Sequence, residues 1–185
     1  MGWYETLVAG KYGNQVPLAR AVPMWGGCSA DGFSVITFHK SKKLHASEWE
    51  ALVKRGGLVN AVKSLKPVQP GGPWHVLCDN ESFLRAVVCN AAHKAANVKL
   101  WKMPAKSPDL NPIERFWSWL RRKLRTMDLK DAVAKRAVLS KFAFKARVRA
   151  VCRSTQAQRV AGNQVKLMKR VCKEVASKKG AATSF

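Results

Sequence analysis

The sequence predicts an α/β fold, a mixed sheet flanked by helices, that continues into a basic helical arm at the C-terminus. Three observations predict it. Short apolar runs of strand length alternate with stretches of helical period between residues 22 and 112. Strand–helix–strand order over that distance implies a parallel portion in the sheet. Charge is segregated along the chain: residues 1–114 hold 14 basic and 8 acidic groups, residues 115–185 hold 20 and 3.

Residues 22–28 (VPMWGGC) and 33–38 (FSVITF) are strand-like runs separated by Ser-Ala-Asp-Gly, which predicts a hairpin. Residues 47–66 carry Trp49, Leu52, Val53, Leu58, Val59, Val62 and Leu65 at helical spacing. Ser47 is the expected N-cap there, and Gly56 and Gly57 weaken the middle. Residues 67–73 (PVQPGGP) break the chain direction. WHVLCD then predicts a buried strand ending on Asp79, residues 81–95 a helix, and 98–103 (VKLWKM) a further strand. A loop over 104–112 leads into a pattern that is helical to about residue 178. Within it, Val133, Val138, Leu139, Phe142, Phe144, Val148, Val151 and Cys152 are the apolar residues expected to pack, with basic residues interleaved.

Composition narrows the function. The 34 Lys and Arg against 11 Asp and Glu give a formal net charge of +23 and a pI near 10.4. Self-repulsion on that scale implies a polyanionic partner, with nucleic acid foremost. A structural RNA contact satisfies the same charge. At 47% hydrophobic residues the chain is not a disordered tail. Five scattered cysteines without a Cys-x-x-Cys pair argue against a disulfide framework and a zinc site, and predict free thiols in a reducing compartment. The four histidines have no ligand spacing and read as ordinary surface or core residues. No apolar run reaches the ~18 residues of a membrane span and no signal peptide opens the chain, so a soluble intracellular protein with no membrane partner is expected.

Two carboxylates stand out. Asp79 ends a predicted central strand, where side chains project into the crevice that collects ligands in α/β sheets; a turn or cap role suits the same position. Glu114 lies in SPDLNPIERFW (residues 107–117). There Asn111 is the expected N-cap, Pro112 takes the first helical position and Glu114 falls at N3, a capping-box arrangement. Ile113, Phe116, Trp117, Leu120 and Leu124 then form the buried face. Capping explains Glu114 but not the Ser-Pro-Asp-Leu before it.

SPDLNPIERFW, preceded by VKLWKMPAK and by WHVLCDN with 34 residues between Asp79 and Glu114, resembles the catalytic domain of mariner-type DDE transposases. The upstream VPMWGGCSADG fits the same pattern, and the resemblance covers roughly residues 16–125. It implies a ribonuclease H-like fold, with Asp79 and Glu114 as the second and third catalytic acids and as ligands of Mg²⁺ or Mn²⁺. It further implies DNA as partner (transposon ends and target), contacted through Lys106, Arg115, Arg121, Arg122, Lys123 and Arg125, and it allows a homodimer. A nuclear location in a eukaryote, or the cytoplasm and nucleoid otherwise, would follow. Paired carboxylates suit this chemistry because phosphodiester cleavage uses hard divalent cations held by oxygen ligands. Asp109 reads as a loop residue.

The pattern departs from the family in two places. Residues 1–21 hold one acid, Glu5, in a context that does not match the strand carrying the family's first Asp, and Asp31 sits in the hairpin turn. The expectation is therefore a core that lacks its first strand, first catalytic Asp and the family's N-terminal helix-turn-helix region. DNESFLR also places Glu81 where many relatives carry a histidine. The expected organisation is a poorly matched segment over 1–21, a partial catalytic core over 22–125 and a basic helical arm over 126–185. Two functions follow: a DDE-type transposase or endonuclease domain for metal-dependent strand cleavage and transfer, or a catalytically inactive transposon-derived protein that binds nucleic acid. An unrelated basic RNA-binding protein is a third reading, and it predicts no divalent cation at Asp79.

Overall fold

In the computed structural model of the chain, β1 (Met24–Ser29) and β2 (Gly32–Phe38) pair into an antiparallel hairpin, with Phe33 and Val35 of β2 buried. Gly32 turns it with φ +131°, a conformation that side chains disfavour, and the Ser29 hydroxyl accepts from the Asp31 N–H at 3.1 Å. The structure describes residues 22–39, 44–55, 57–63, 71–79, 81–104 and 107–181. Residues 1–21 with Glu5, residues 67–70 of the expected breaker, Asn80 and Lys106 lie outside them. The chain forms two units, one of residues 1–43 and 113–165, the other of residues 44–112 and 166–185.

The first unit is built on the hairpin and the helix that follows SPDLNP, α4 (Pro112–Val133). Phe116, Leu120 and Leu124 recur at spacing four and are fully buried. Each contributes about 1.5–3 kcal/mol by burial, more than the ~0–1 kcal/mol of an exposed ion pair, so the apolar face decides how α4 docks. Phe116 stacks on Phe33 of the hairpin with ring centroids 4.5 Å apart, and the Trp117 edge meets Phe33 at 5.8 Å. Gly26 makes room for this contact. A Cβ there would lie 2.6 Å from the Trp117 indole and 2.8 Å from the Phe33 ring.

The expected helical run to residue 178 is in fact three helices: α4, α5 (Lys141–Arg153) and α6 (Thr155–Ser177). Lys135 takes φ +52° in the first break, and the Ser140 hydroxyl caps α5 by accepting from Ala143 N–H. Ser154 makes the second break. Its hydroxyl donates to the Val151 carbonyl at 2.7 Å and accepts from Ala157 N–H at 3.2 Å, so one side chain ends α5 and begins α6. Phe144, Val148, Val151 and Cys152 of α5 and Ala157 and Ala161 of α6 join the core of Phe33 and Phe116. Val133, Val138 and Phe142, also expected to pack, are 85%, 63% and 81% exposed. Arg147 bonds Asp128 at 2.8 Å and also Asp131, which Arg136 bonds at 3.0 Å; these partners hold the Asp131 carboxyl below the usual carboxylate range.

In the second unit, β3 (Trp74–Cys78) pairs in parallel with β4 (Val98–Lys102) through a right-length crossover containing α3 (Val87–Ala95). The described strands thus form two two-stranded sheets, so the mixed directions of the expected sheet are divided between two pairs. The expected helix over 81–95 is a 3₁₀ turn (Ser82–Arg85) followed by α3, because Ala86 takes an extended conformation between them. The expected helix over 47–66 divides into α1 (Ala46–Lys54) and α2 (Gly57–Lys63) near the two glycines. Its cap is His45, whose N–H donates to the Glu48 carboxylate at 3.0 Å, rather than Ser47, which lies inside the helix. Trp49 of α1 fills the core beside Phe83 and donates its indole N–H to His93 Nε2 of α3 at 2.7 Å. No described helix is long and apolar enough to cross a membrane.

Replacing Gly26 with Ala is expected to lower stability by about 1–3 kcal/mol, since neither ring can yield without losing its stack; the urea midpoint measures it. The buried His93 gives a second expectation. Desolvation, then the nearby Lys102 charge, lower its pKa from 6.5. The unfolded chain therefore takes up this proton first, so the contribution is complete above about pH 6.5 and is lost as pH falls towards the lower folded pKa. Urea midpoints between pH 8 and 5 should fall on the acid side for the native chain, and less steeply for His93→Gln.

Candidate active site

Asp79 follows directly on β3. The parallel register pairs Cys78 with Lys102, and Met103 N–H donates to the Cys78 carbonyl at 2.9 Å, so pairing reaches the last residue before Asp79. Strand alternation turns Cys78 inward, where it is buried, and leaves Asp79 exposed at the carboxyl ends of both strands. Burial first, then the Asp79 charge, push the Cys78 thiol up to about 11, with Lys102 acting in the opposite direction. The Cys78 thiol is thus protonated at neutral pH. Lys102 is a site neighbour that the sequence reading missed. Only the strand register reveals that a residue 23 positions after Asp79 stands beside it. Glu81 is exposed and precedes the 3₁₀ turn, whose Leu84 N–H donates to its carbonyl.

Glu114 stands in the first turn of α4, half-buried, two residues after Pro112. Asn111 is buried and extended (φ −105°, ψ 101°), the backbone conformation of a residue that opens a helix. Asp109 belongs to the 3₁₀ turn Pro108–Leu110 before it. A carboxylate in the first helical turn is favourably placed with respect to the helix dipole.

Arg121 and Arg125 of α4 share the face of Glu114. At 3.6 residues per turn, Ser118, Arg121 and Arg125 follow Glu114 along one side, opposite Phe116, Leu120 and Leu124, with Arg115 and Arg122 flanking them. Ser118 Oγ donates to the Glu114 carbonyl at 3.1 Å and accepts from Arg121 at 3.2 Å. Lys123 lies off this row and donates to Gln156 of α6 at 3.0 Å. Arg122 and Arg125 are exposed. Asp79 belongs to the second unit and Glu114 to the first. Among the described residues no group of three or more His, Cys, Asp or Glu is arranged to hold a metal ion.

The fold is a ribonuclease H-like α/β fold, and known structures share it. The catalytic domain of Mos1 transposase, solved with raltegravir and Mn, superimposes with a TM-score of 0.61 at 14% identity, covering 84% of this chain and 74% of that one. The crystal structure of the Mos1 mariner transposase catalytic domain gives 0.57 at 14%, covering 84% and 72%. The Mos1 strand transfer complex gives 0.57 at 15%, covering 84% of this chain and 42% of that one. The chain belongs to the DDE superfamily endonucleases, a family that matches residues 21–134. Among curated proteins none gives a significant sequence match.

Proposed function

We propose that this chain is a DNA-acting transposase domain in which Asp79 and Glu114 supply two of the carboxylates for a divalent cation. The family match over residues 21–134, which contains both acids in the contexts described above, carries the reading. Their chemistry fits Mg²⁺ or Mn²⁺: both are hard oxygen ligands, and Asp79 is open to solvent at its strand end. The solved relatives include Mos1 catalytic domains with Mn and with Mg. A cation held there supplies Lewis acidity and nucleophile activation for phosphodiester cleavage. The side chains of α4 supply the rest. Arg121, Arg122 and Arg125 offer exposed or half-exposed guanidinium groups along the face of Glu114, suited to bind and orient backbone phosphates. Arg115, Lys123 and Lys106, the last outside the described residues, are proposed as further phosphate contacts from the resemblance.

A second reading, an inactive transposon-derived DNA-binding protein, is favoured by one specific observation. Residues 115–185 carry 20 basic groups against 3 acidic ones, a charge that binds DNA without any cleavage chemistry.

Mn²⁺-dependent nicking of supercoiled DNA decides between them. The active reading expects nicking that falls at least about 100-fold in Asp79→Asn and in Glu114→Gln, the scale of losing a metal ligand. Equal nicking in all three would overturn the site. No nicking by the native chain, with salt-sensitive DNA binding intact, would establish the second reading. The phosphate role of α4 has its own test. Replacing Arg121, Arg122 and Arg125 by Gln should reduce the slope of log affinity against log salt by about one per residue, with little change in sequence preference.

A further inference from the structure

We propose that the outward face of α5 binds unpaired nucleic-acid strands, with Phe142 stacking on an exposed base and the cations beside it on the flanking phosphates. This surface lies beyond the residues that match the family, 21–134. Lys141, Lys145, Arg149 and Arg153 recur every fourth residue, a row that drifts by only about 40° per step around the helix. In angle Phe142 falls between Arg149 and Arg153, and it is 81% exposed, while Phe144, Val148 and Val151 fill the core on the opposite side. Two cations of the row are steadied by Phe38 of β2: Lys145 Nζ lies 5.3 Å and Arg149 Cζ 4.6 Å from its ring centroid.

The row is also uncompensated. Helix α5 contains no acidic residue, and among the described residues no carboxylate pairs with Lys141, Lys145, Arg149 or Arg153. Arg147, on another side of α5, is the one Arg of this helix held by Asp128 and Asp131. An anion therefore fits the outward face, and the exposed ring narrows which anion. In a duplex the base faces are stacked and hidden; in a single strand they are open, and an aromatic ring amid cations suits them. Self-association through this face would bring like charges together. A membrane surface would need an apolar stripe, and the apolar side of α5 is already buried in the core.

The proposal goes beyond the carboxylate site and does not depend on it. The test is fluorescence anisotropy of the full chain with an oligothymidylate and with a duplex of equal length, at salt high enough for weak, measurable binding. Because Phe142 is exposed, its replacement should leave the circular dichroism spectrum intact. Phe142→Ala is expected to weaken single-strand binding roughly tenfold and duplex binding less than about twofold, and Phe142→Trp to retain single-strand binding. A paired Arg149→Gln, Arg153→Gln variant should weaken both. Native single-strand affinity in Phe142→Ala, or equal losses on both nucleic acids, would overturn the proposal. So would a loss confined to anionic phosphatidylserine vesicles, which would assign the face to a membrane surface.

Discussion

The first unit depends on the stack of Phe116 on Phe33, closed at its edge by Trp117 over Gly26. It joins the two separate chain segments of that unit, the hairpin and the first turns of α4. Because Phe116 and Trp117 come two and three residues after Glu114, the stack also fixes the rotation of α4 about its axis. That rotation puts Leu120 and Leu124 inside, and leaves Glu114, Arg121 and Arg125 on the other side. Because aromatic packing already fixes the helix backbone, ordering such a side chain costs only its own rotamer entropy, up to about 2 kcal/mol.

The same division of labour runs through the charged residues. The few acids of the C-terminal part are spent on local structure: Asp128 and Asp131 tie Arg147 between α4 and α5, and Glu174 pairs with Lys178 within α6. What remains on α4 and α5 is positive and faces outward. Part of the net charge of +23 therefore lies on outward faces of α4 and α5. The buried thiols of Cys28 and Cys152, pushed up to about 12 by burial, are packing groups and stay protonated.

Much of the fold was legible in the sequence, since the hairpin, β3, β4 and the start of α4 each combine a period with a punctuating turn. Misreadings fell where a local side chain overrode the period. Ser154 divides a continuous helical pattern by bonding both neighbouring turns, which its identity alone does not announce. His45 precedes Ser47 as the opening of α1 because Glu48 reaches back to its N–H. The exposure of Phe142 was also hidden: a phenylalanine in an amphipathic pattern reads as core until Phe144 and Val148 are seen to fill that side. Of the candidate site, Asp79 and Glu114 were found by resemblance and by their positions at element ends. Lys102 was not, because its place beside Asp79 is set by strand register.

In the proposed function Asp79 and Glu114 are both ligands of a divalent cation. Mn²⁺ binding to the full chain, followed by electron paramagnetic resonance, tests it without requiring turnover. The account expects a bound ion in the native chain whose affinity falls at least about tenfold in Asp79→Asn and again in Glu114→Gln, each losing one ligand. Identical Mn²⁺ binding in the native chain and both variants would contradict it.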